Sequence, residues 1–594
     1  MARPVDPSTG ALRPLDDVAI EGGFWGARQE LNRSVLLPHC HRWESRLGWI
    51  ANFRDPLAEA GREFADSDVY KMVEGMAWDG SFDTQIEAIA EQMADAQEED
   101  GYLNTRFGHR GRSHRYTDLE WGHELYCYGH MIQAAVARLR TRGEDQFVAI
   151  TRRAADHVCD TFGADGNQGI CGHPEIEMAL VELYRATGSE RYLEQARLFV
   201  ERRGRPALAD IERGRAYFQD DMPIRAAEAF RGHAVRALYL ASGAVDVAVE
   251  TGDAELLAAI ERQWERTIAR RTYITGGMGS RHSAEDFGED YELPPDRAYS
   301  ETCAGIGSVM FSWRLLLAQG LPRYADLVER TLFNVVATSP ALDGSGFFYA
   351  NPLHQRVPGE APDPDAENMR AASSLRAPWF HVSCCPTNVG RTFASLDGYI
   401  ATIDEGGVQI HQFARGTIRT PRVTLSVATD YPWSGEIAVR VLEASGEPSR
   451  ISLRVPSWAG EAVLTDRGHR RPVPPGYATV HGEWSAGDEI RLTLPMTPRW
   501  THPDPRVDAI RGCVAAERGP LVYCLESTDN ATDLTDVRAD ASNDLTDAGT
   551  SPELADAITL AADGLTFIPY HTWGNRGLAT MRVWVPEGDS SLRD

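Results

Sequence analysis

Two cysteine-bearing segments hold the residue types best suited to chemistry in this chain. One is Ser383-Cys384-Cys385-Pro386-Thr387-Asn388; the other is Glu301-Thr302-Cys303. Three thiols and a carboxylate make a set of four ligands for one zinc ion, which takes tetrahedral sites built from Cys, His and carboxylate. Proline suits the first helical position, where its missing N–H is an orphan anyway. Pro386 there predicts a helix over 387–400, with Val389, Phe393, Leu396 and Ile400 on one buried face. The cysteine pair then sits at a helix N-terminus, whose positive end lowers a thiol's pKa, and a bound cation would complete deprotonation. Plainer readings compete. Free cysteine is among the most buried residue types, neighbouring cysteines can form a vicinal disulfide, and the spacing matches no zinc-finger pattern.

A glycine-rich loop, residues 276–288, carries Glu285 and Asp286, with Glu289, Asp290 and Glu292 close behind. It has no lysine and no P-loop pattern, so it is not a phosphate cradle. Its carboxylates are either an exposed acidic loop or the source of a catalytic acid, and spacing alone does not single one out. His130, His173 and His233 each follow a glycine at the predicted start of a repeat helix. One such histidine is usually structural. Three at equivalent repeat positions can converge on one pocket and exchange hydrogen bonds with a ligand as neutral imidazoles.

The elements that must position these residues fall into two regimes. After an amphipathic entry region with Phe24, Trp25 and Trp43, residues 67–96 read as one helix. Its apolar face is Val69, Met72, Val73, Met76 and Ala77, and Asp66 or Ser67 is its N-cap. Asp100-Gly101-Tyr102 marks a loop. Helix–turn–helix units follow, turned at Arg142-Gly143-Glu144-Asp145, Thr187-Gly188-Ser189-Glu190 and Thr251-Gly252-Asp253-Ala254. In each, Gly ends one helix and an acidic residue or Ser opens the next. Helix pairs repeating every 40–60 residues or so form an array of α-hairpins. Residues 20–400 hold enough chain for about six pairs, which can close into a toroid with the first helices inside. Beyond 404 the hydrophobic period falls to two, at 408–411, 422–427, 437–442, 451–455 and 490–494. That predicts a β-sandwich of about 100 residues. A second β-rich unit uses 513–517, 520–525, 565–568 and 579–585, interrupted by 527–552, an Asp-, Thr-, Ser- and Ala-rich stretch predicted to be irregular. The predicted organisation is multidomain α+β: an (α/α)6 barrel over 1–403, a β-sandwich over 404–505 and a C-terminal β-sandwich over 506–594.

Composition narrows the partners. The chain has 594 residues and a formal net charge of −27, which argues against nucleic acid and anionic membranes as partners. Nearly all basic residues are Arg, with Lys71 the only lysine, a bias read as base composition. Nine cysteines scattered over so long a chain are no disulfide framework. Met1 to Leu15 is polar and Pro-rich, without a basic leader or apolar h-region, so the expected compartment is the cytoplasm.

The motif Ser383-Cys384-Cys385-Pro386-Thr387-Asn388, preceded by Tyr299-Ser300-Glu301-Thr302-Cys303-Ala304, resembles glycoside hydrolase family 127, typified by β-L-arabinofuranosidases. The resemblance runs from about Phe24 to Met581-Arg582-Val583-Trp584. It implies the (α/α)6 fold, and zinc on Glu301, Cys303, Cys384 and Cys385. It implies retaining release of L-arabinose from a small glycoside or oligosaccharide. Retaining glycosidases usually use two carboxylates; here Cys384 is implied to replace the nucleophilic one and Glu285 to be the acid/base. His130, His173, His233 and Tyr349 are implied to bind the sugar, and the C-terminal β-structure to form a homodimer. An acid/base Glu works partly protonated near neutral pH, so burial or nearby negative charge is expected to raise the Glu285 pKa. Two alternatives stay open. One is a same-family hydrolase of another furanoside, such as an acidic branched pectin sugar; the other is a non-catalytic carbohydrate-binding scaffold with structural zinc.

Overall fold

The structure is a computed structural model that describes residues 2–55, 60–109 and 111–588. Its helices are α1 (Gly23–Leu31), α2 (Leu37–Arg46), α3 (Ala65–Asp79), α4 (Asp83–Ala96), α5 (Glu124–Thr141), α6 (Gln146–Phe162) and α7 (Ile176–Thr187). There follow α8 (Glu190–Arg202), the short α9 (Gly214–Tyr217), α10 (Ala234–Thr251), α11 (Ala254–Arg270), α12 (Thr302–Gln319), α13 (Pro322–Thr331) and α14 (Cys384–Ala394). Helix α3 packs on α5, α5 on α7, α7 on α10, α10 on α12, α12 on α14, and α14 back on α3, so six helices close a ring. Composition explains which helices lie inside. Helix α12 is buried on every side from Thr302 to Leu317, whereas α11 buries one stripe of Leu256, Ile260, Gln263, Trp264 and Thr267. Glycine lets inner backbones touch: a Cβ on Gly129 would lie 2.5 Å from Glu175 Cγ and 2.9 Å from Ile176 N. No described helix is long and apolar enough to cross a membrane.

The helical turns match expectation in chemistry. Asp145 and Asp253 cap α6 and α11, each accepting from a backbone N–H at 2.9 Å, and Gly188 and Gly252 take φ of +71° and +68°. Three expectations change. Residues 67–96 form two helices, because Gly80 at φ +80° ends α3. The α3 N-cap is Phe64, while Asp66 lies within the first turn and accepts from Thr105 N at 2.9 Å. Pro386 is the third residue of α14, whose first is Cys384; a 3-10 turn, Leu396–Tyr399, continues it, and the four expected core residues are buried.

Three sheets follow. A five-stranded sheet runs Arg13–Pro14, Ala401–Asp404, Gly407–Ile410, Ser449–Val455, Gly476–Gly482; its third and fourth strands are parallel. A seven-stranded sheet runs from His469–Val473 through Glu436–Ala444 and Val423–Thr429 to Gly416–Arg419 and Asp17–Ile20. Residues 13–20 thus belong in space with strands made four hundred positions later, and the expected boundary at 403/404 falls inside a strand. The last, nine-stranded sheet includes Cys513–Arg518, Leu521–Glu526 and Leu565–Pro569, and reaches back to His354–Gln355 through Met581–Arg582. Residues 527–545 lack regular structure; Thr546–Ser551 forms an exposed edge strand on Ala557–Ala562.

Candidate active site

All six ring helices start around one cavity of about 220 Å³. Phe64, His123, His233, Glu301 and Ser383 are the N-caps of α3, α5, α10, α12 and α14, and His173 stands three residues before α7. Helix N-termini are positive and favour anions, so carboxylates and thiolates are at home here.

Glu301 and Cys303 come from α12 and the cysteine pair from α14. Cys303 Sγ is 3.5 Å from Cys384 Sγ and 3.4 Å from Cys385 Sγ; Glu301 Oε1 is 3.7 and 3.9 Å from the same pair. Around a zinc ion about 2.3 Å from each sulfur, tetrahedral sulfurs stand about 3.8 Å apart, so little movement would close the set. The other Glu301 oxygen is buried without a hydrogen-bond partner, a deficit that a cation would relieve. These four residues therefore fit a metal ion as a group. Of the cysteine pair, only Cys384 lines the cavity; Cys385 is wholly buried. Hydrogen bonds from the Cys303 and Cys385 thiols push the Cys384 thiol well below the usual range against its burial, with help from Lys71 and the Tyr349 hydroxyl at 3.0 Å. Burial pushes Cys303 and Cys385 the other way.

Glu285 enters from the glycine-rich loop. The loop is pinned to the start of α10, where Ala234 N donates to Glu285 O at 3.0 Å and Phe287 N to Gly232 O at 2.9 Å. Glu285 sits at φ +57°, a sparsely populated region for a residue with a side chain. Its carboxylate meets His233 Nε2 at 3.1 Å, and its other oxygen accepts from Arg370. The expected raised pKa is not found. Burial does push Glu285 upward, but the bond from His233 and the Arg370 charge outweigh it and hold the carboxyl at about 2.

The histidines are not equivalent. His233 caps α10, its ring accepting from Arg236 N at 3.4 Å. His173 lies beside it, ring centroids 5.7 Å apart, with Nδ1 donating to Pro174 O at 3.0 Å. His130 sits in the second turn of α5, behind Tyr126 at 4.6 Å and 3.4 Å from Glu175, and does not line the cavity. His123 does line it, and it follows Gly122 just as His173 follows Gly172, so the Gly-His pair that marks this helix start is 122–123 rather than 129–130. Burial lowers the pKa of all four, so they are neutral imidazoles. Tyr349 is held by Thr302 N donating to its carbonyl at 3.0 Å.

Two arginines complete the wall. Arg370 also donates to Tyr299 Oη at 2.9 Å and lies 5.0 Å from the Tyr349 ring centroid. Arg236 is buried over Trp121, Tyr217 and Phe218, with Nε and one terminal nitrogen unpartnered. Neither carries a local sequence signal: Arg370 comes from a loop and Arg236 from an ordinary helical turn.

Three family models match in register: the GH127 β-L-arabinofuranosidase catalytic domain over 17–398, its middle domain over 407–496 and the family 127 C-terminal domain over 498–586. A non-reducing end β-L-arabinofuranosidase of Bifidobacterium longum is 34% identical, the match covering 91% of this chain and 92% of that one. The crystal structure of a GH127 β-L-arabinofuranosidase from Geobacillus stearothermophilus T6 superposes with a TM-score of 0.88 at 32% identity, over 96% of this chain and 100% of that one. A second solved GH127 β-arabinofuranosidase gives the same TM-score and identity over 99% and 98%. With catalytic, middle and C-terminal portions all matched in order, the chain belongs to glycoside hydrolase family 127 and is a glycoside hydrolase.

Proposed function

We propose that this enzyme releases L-arabinose from the non-reducing end of β-L-arabinofuranosides with retention, using Cys384 as nucleophile and Glu285 as acid/base. The observation that carries the proposal is one cavity holding the Cys384 thiol, set beside the Tyr349 hydroxyl, together with a carboxyl on two hydrogen-bonding partners. Similarity to β-L-arabinofuranosidases along the whole chain supports the choice of sugar.

In the first step Cys384 Sγ attacks the anomeric carbon, the glycosidic C–O bond breaks, and Glu285 gives its proton to the departing oxygen. Glu285 starts as a carboxylate, so it takes up that proton as the sugar enters and the Arg370 contact opens. In the second step a water attacks the same carbon, Glu285 accepts its proton, and the C–S bond breaks to return the thiolate. His173 and His233, with Tyr349, bind the furanose hydroxyls, while His130 supports Tyr126 from behind. A zinc ion on Glu301, Cys303, Cys384 and Cys385 would keep the thiols deprotonated and aimed.

An acidic furanoside is the second reading, favoured by Arg236, a buried guanidinium on the cavity wall with no carboxylate partner among the described residues. Comparing neutral and acidic furanosides at equal concentration separates the two. We also propose that the helical ring is an (α/α)6 barrel, that the strands of 401–493, joined by 13–20, form a β-sandwich and those of 499–586 a second one, and that the last forms a homodimer. Light scattering at micromolar concentration checks the dimer. Nine free cysteines support a reducing, cytoplasmic setting.

The deciding experiment is intact-mass trapping with an arabinofuranose-like electrophile, alongside elemental analysis for about one zinc per chain. The label is expected on Cys384. A label on Glu285, or on Cys385 with Cys384 untouched, overturns the mechanism.

A further inference from the structure

A second cavity, of about 410 Å³, shares no lining residue with the active site. Three parts of the chain wall it: the start of α1, Asp430 and Trp433 from the middle portion, and His571 from the C-terminal portion. Its volume is that of an ordinary small-molecule site, and no step of the hydrolysis uses it.

Its chemistry suits an anion. The N-cap of α1 is Gly22, which has no side chain to offer, so the first N–H groups of the helix go uncapped where Gly23 and Phe24 line the cavity. That end of a helix is positive and favours negative charge. Arg28 folds back over the same turn. Its guanidinium lies 3.4 Å from the Phe24 ring centroid and donates to Phe24 O at 3.2 Å. Although the chain carries a net charge of −27, no carboxylate meets this guanidinium among the described residues. His571 is 3% exposed, edge-on to Phe24 at 5.3 Å and 6.0 Å from Trp433, and its Nδ1 has no hydrogen-bond partner. Burial, with the charges of Arg28 and Arg376, keeps that imidazole neutral. Arg376 spends its own donors on the carbonyls of Thr338, Ser339, Trp573 and His571. Asp430 is the one acid among the lining residues, and it stands at the exposed rim, tied to Arg415 at 2.5 Å.

We propose that this cavity binds a sugar acid, its carboxylate on the Arg28 guanidinium and the first N–H groups of α1, and its ring against Trp433. A carboxylate is planar and singly charged, which matches one guanidinium fork. A phosphate dianion calls for more cationic donors than this wall offers. The half-buried indole of Trp433 presents an apolar surface to the C–H face of a sugar, and Asp430 can accept from its hydroxyls. A purely hydrocarbon acid would set its chain against Asp430 and His571, a poor match for both. The plainer role of Arg28 is to cover Phe24.

Calorimetric titration of the full-length enzyme with D-glucuronate and with D-glucose tests the site. Glucuronate is expected to bind and glucose is not. Arg28→Gln should weaken glucuronate by about tenfold or more, the worth of a hydrogen bond to a charged group. Arg236→Gln, which alters the unpaired guanidinium of the active-site cavity, should leave that binding unchanged. Hydrogen exchange on the unaltered enzyme needs no variant: glucuronate should slow the amides of residues 23–26. If neither sugar binds at millimolar concentration, or glucose binds as well as glucuronate, Arg28 merely covers Phe24 and the proposal falls. If Arg236→Gln loses the binding while Arg28→Gln keeps it, the acid sits in the active site and the proposal falls too. If acetate binds as tightly as glucuronate, the cavity takes a bare carboxylate and the sugar assignment is wrong.

Discussion

Replacing Cys384 with Ala is expected to abolish turnover of every glycoside, whatever its leaving group, because no covalent intermediate can form. Glu285→Gln should fail selectively. With a poor leaving group it should lose about 10²–10⁴-fold, the usual worth of general acid catalysis, while a nitrophenyl glycoside should keep most of its first step and gain from added azide. Arg370 makes a separate prediction. The acid must be protonated, and its carboxyl is held at about 2, so the high-pH limb of kcat/KM on unactivated substrates lies low. An opposite charge this close typically depresses a carboxyl by about 1–3 units, so Arg370→Met should move that limb upward by a comparable amount. A pH profile that does not move would show that Arg370 merely anchors its loop. The linked stability has the opposite course: a depressed carboxyl stabilises the fold above its unfolded value of about 4.3 and loses that contribution as pH falls towards 2. At this scale residue type alone suggested that Glu301, Cys303, Cys384 and Cys385 form one ligand set, and the fold places the four side chains side by side. Residue type could not show Arg370 or the direction of the Glu285 shift, since both depend on a loop folding across the cavity.

Helix edges were readable where one residue decides the backbone. Gly188, Gly252, Asp145 and Asp253 each did what turn and cap chemistry predicts. Gly80 has the same chemistry, but it sits within a long apolar pattern that masked the break between α3 and α4. The histidine repeat misled for a related reason: two Gly-His pairs stand close together, and the one at the start of α5 is Gly122-His123, whereas His130 lies six residues inside the helix. Gly129 does something else there. An added methyl would press on Glu175 and the start of α7, and overpacking of this kind typically costs about 1–3 kcal/mol. Gly129→Ala should therefore lower the melting temperature by about 1–4 °C in calorimetry. An unchanged Tm would mean that α5 and α7 can part freely.

The C-terminal portion does more than end the chain. Trp573 stacks on Phe348 at 4.7 Å, next to Tyr349, and Arg376 ties the same segment to Trp573 O at 2.8 Å. Trp573→Ala is expected to lower kcat several-fold with zinc content unchanged; full activity would mean that Tyr349 is placed by the helical ring alone. None of this was visible in the sequence, because pairing between distant segments leaves no local pattern. The two strands at 13–20 are the extreme case, since their partners lie at 401–404 and 416–419. During synthesis residues 13–20 leave the ribosome some four hundred residues ahead of the strands they pair with. At about 5–20 residues per second that wait lasts on the order of tens of seconds. A nascent chain halted before residue 401 should keep residues 13–20 open to protease, and one halted far enough past 420 for 401–419 to have cleared the ribosome should not.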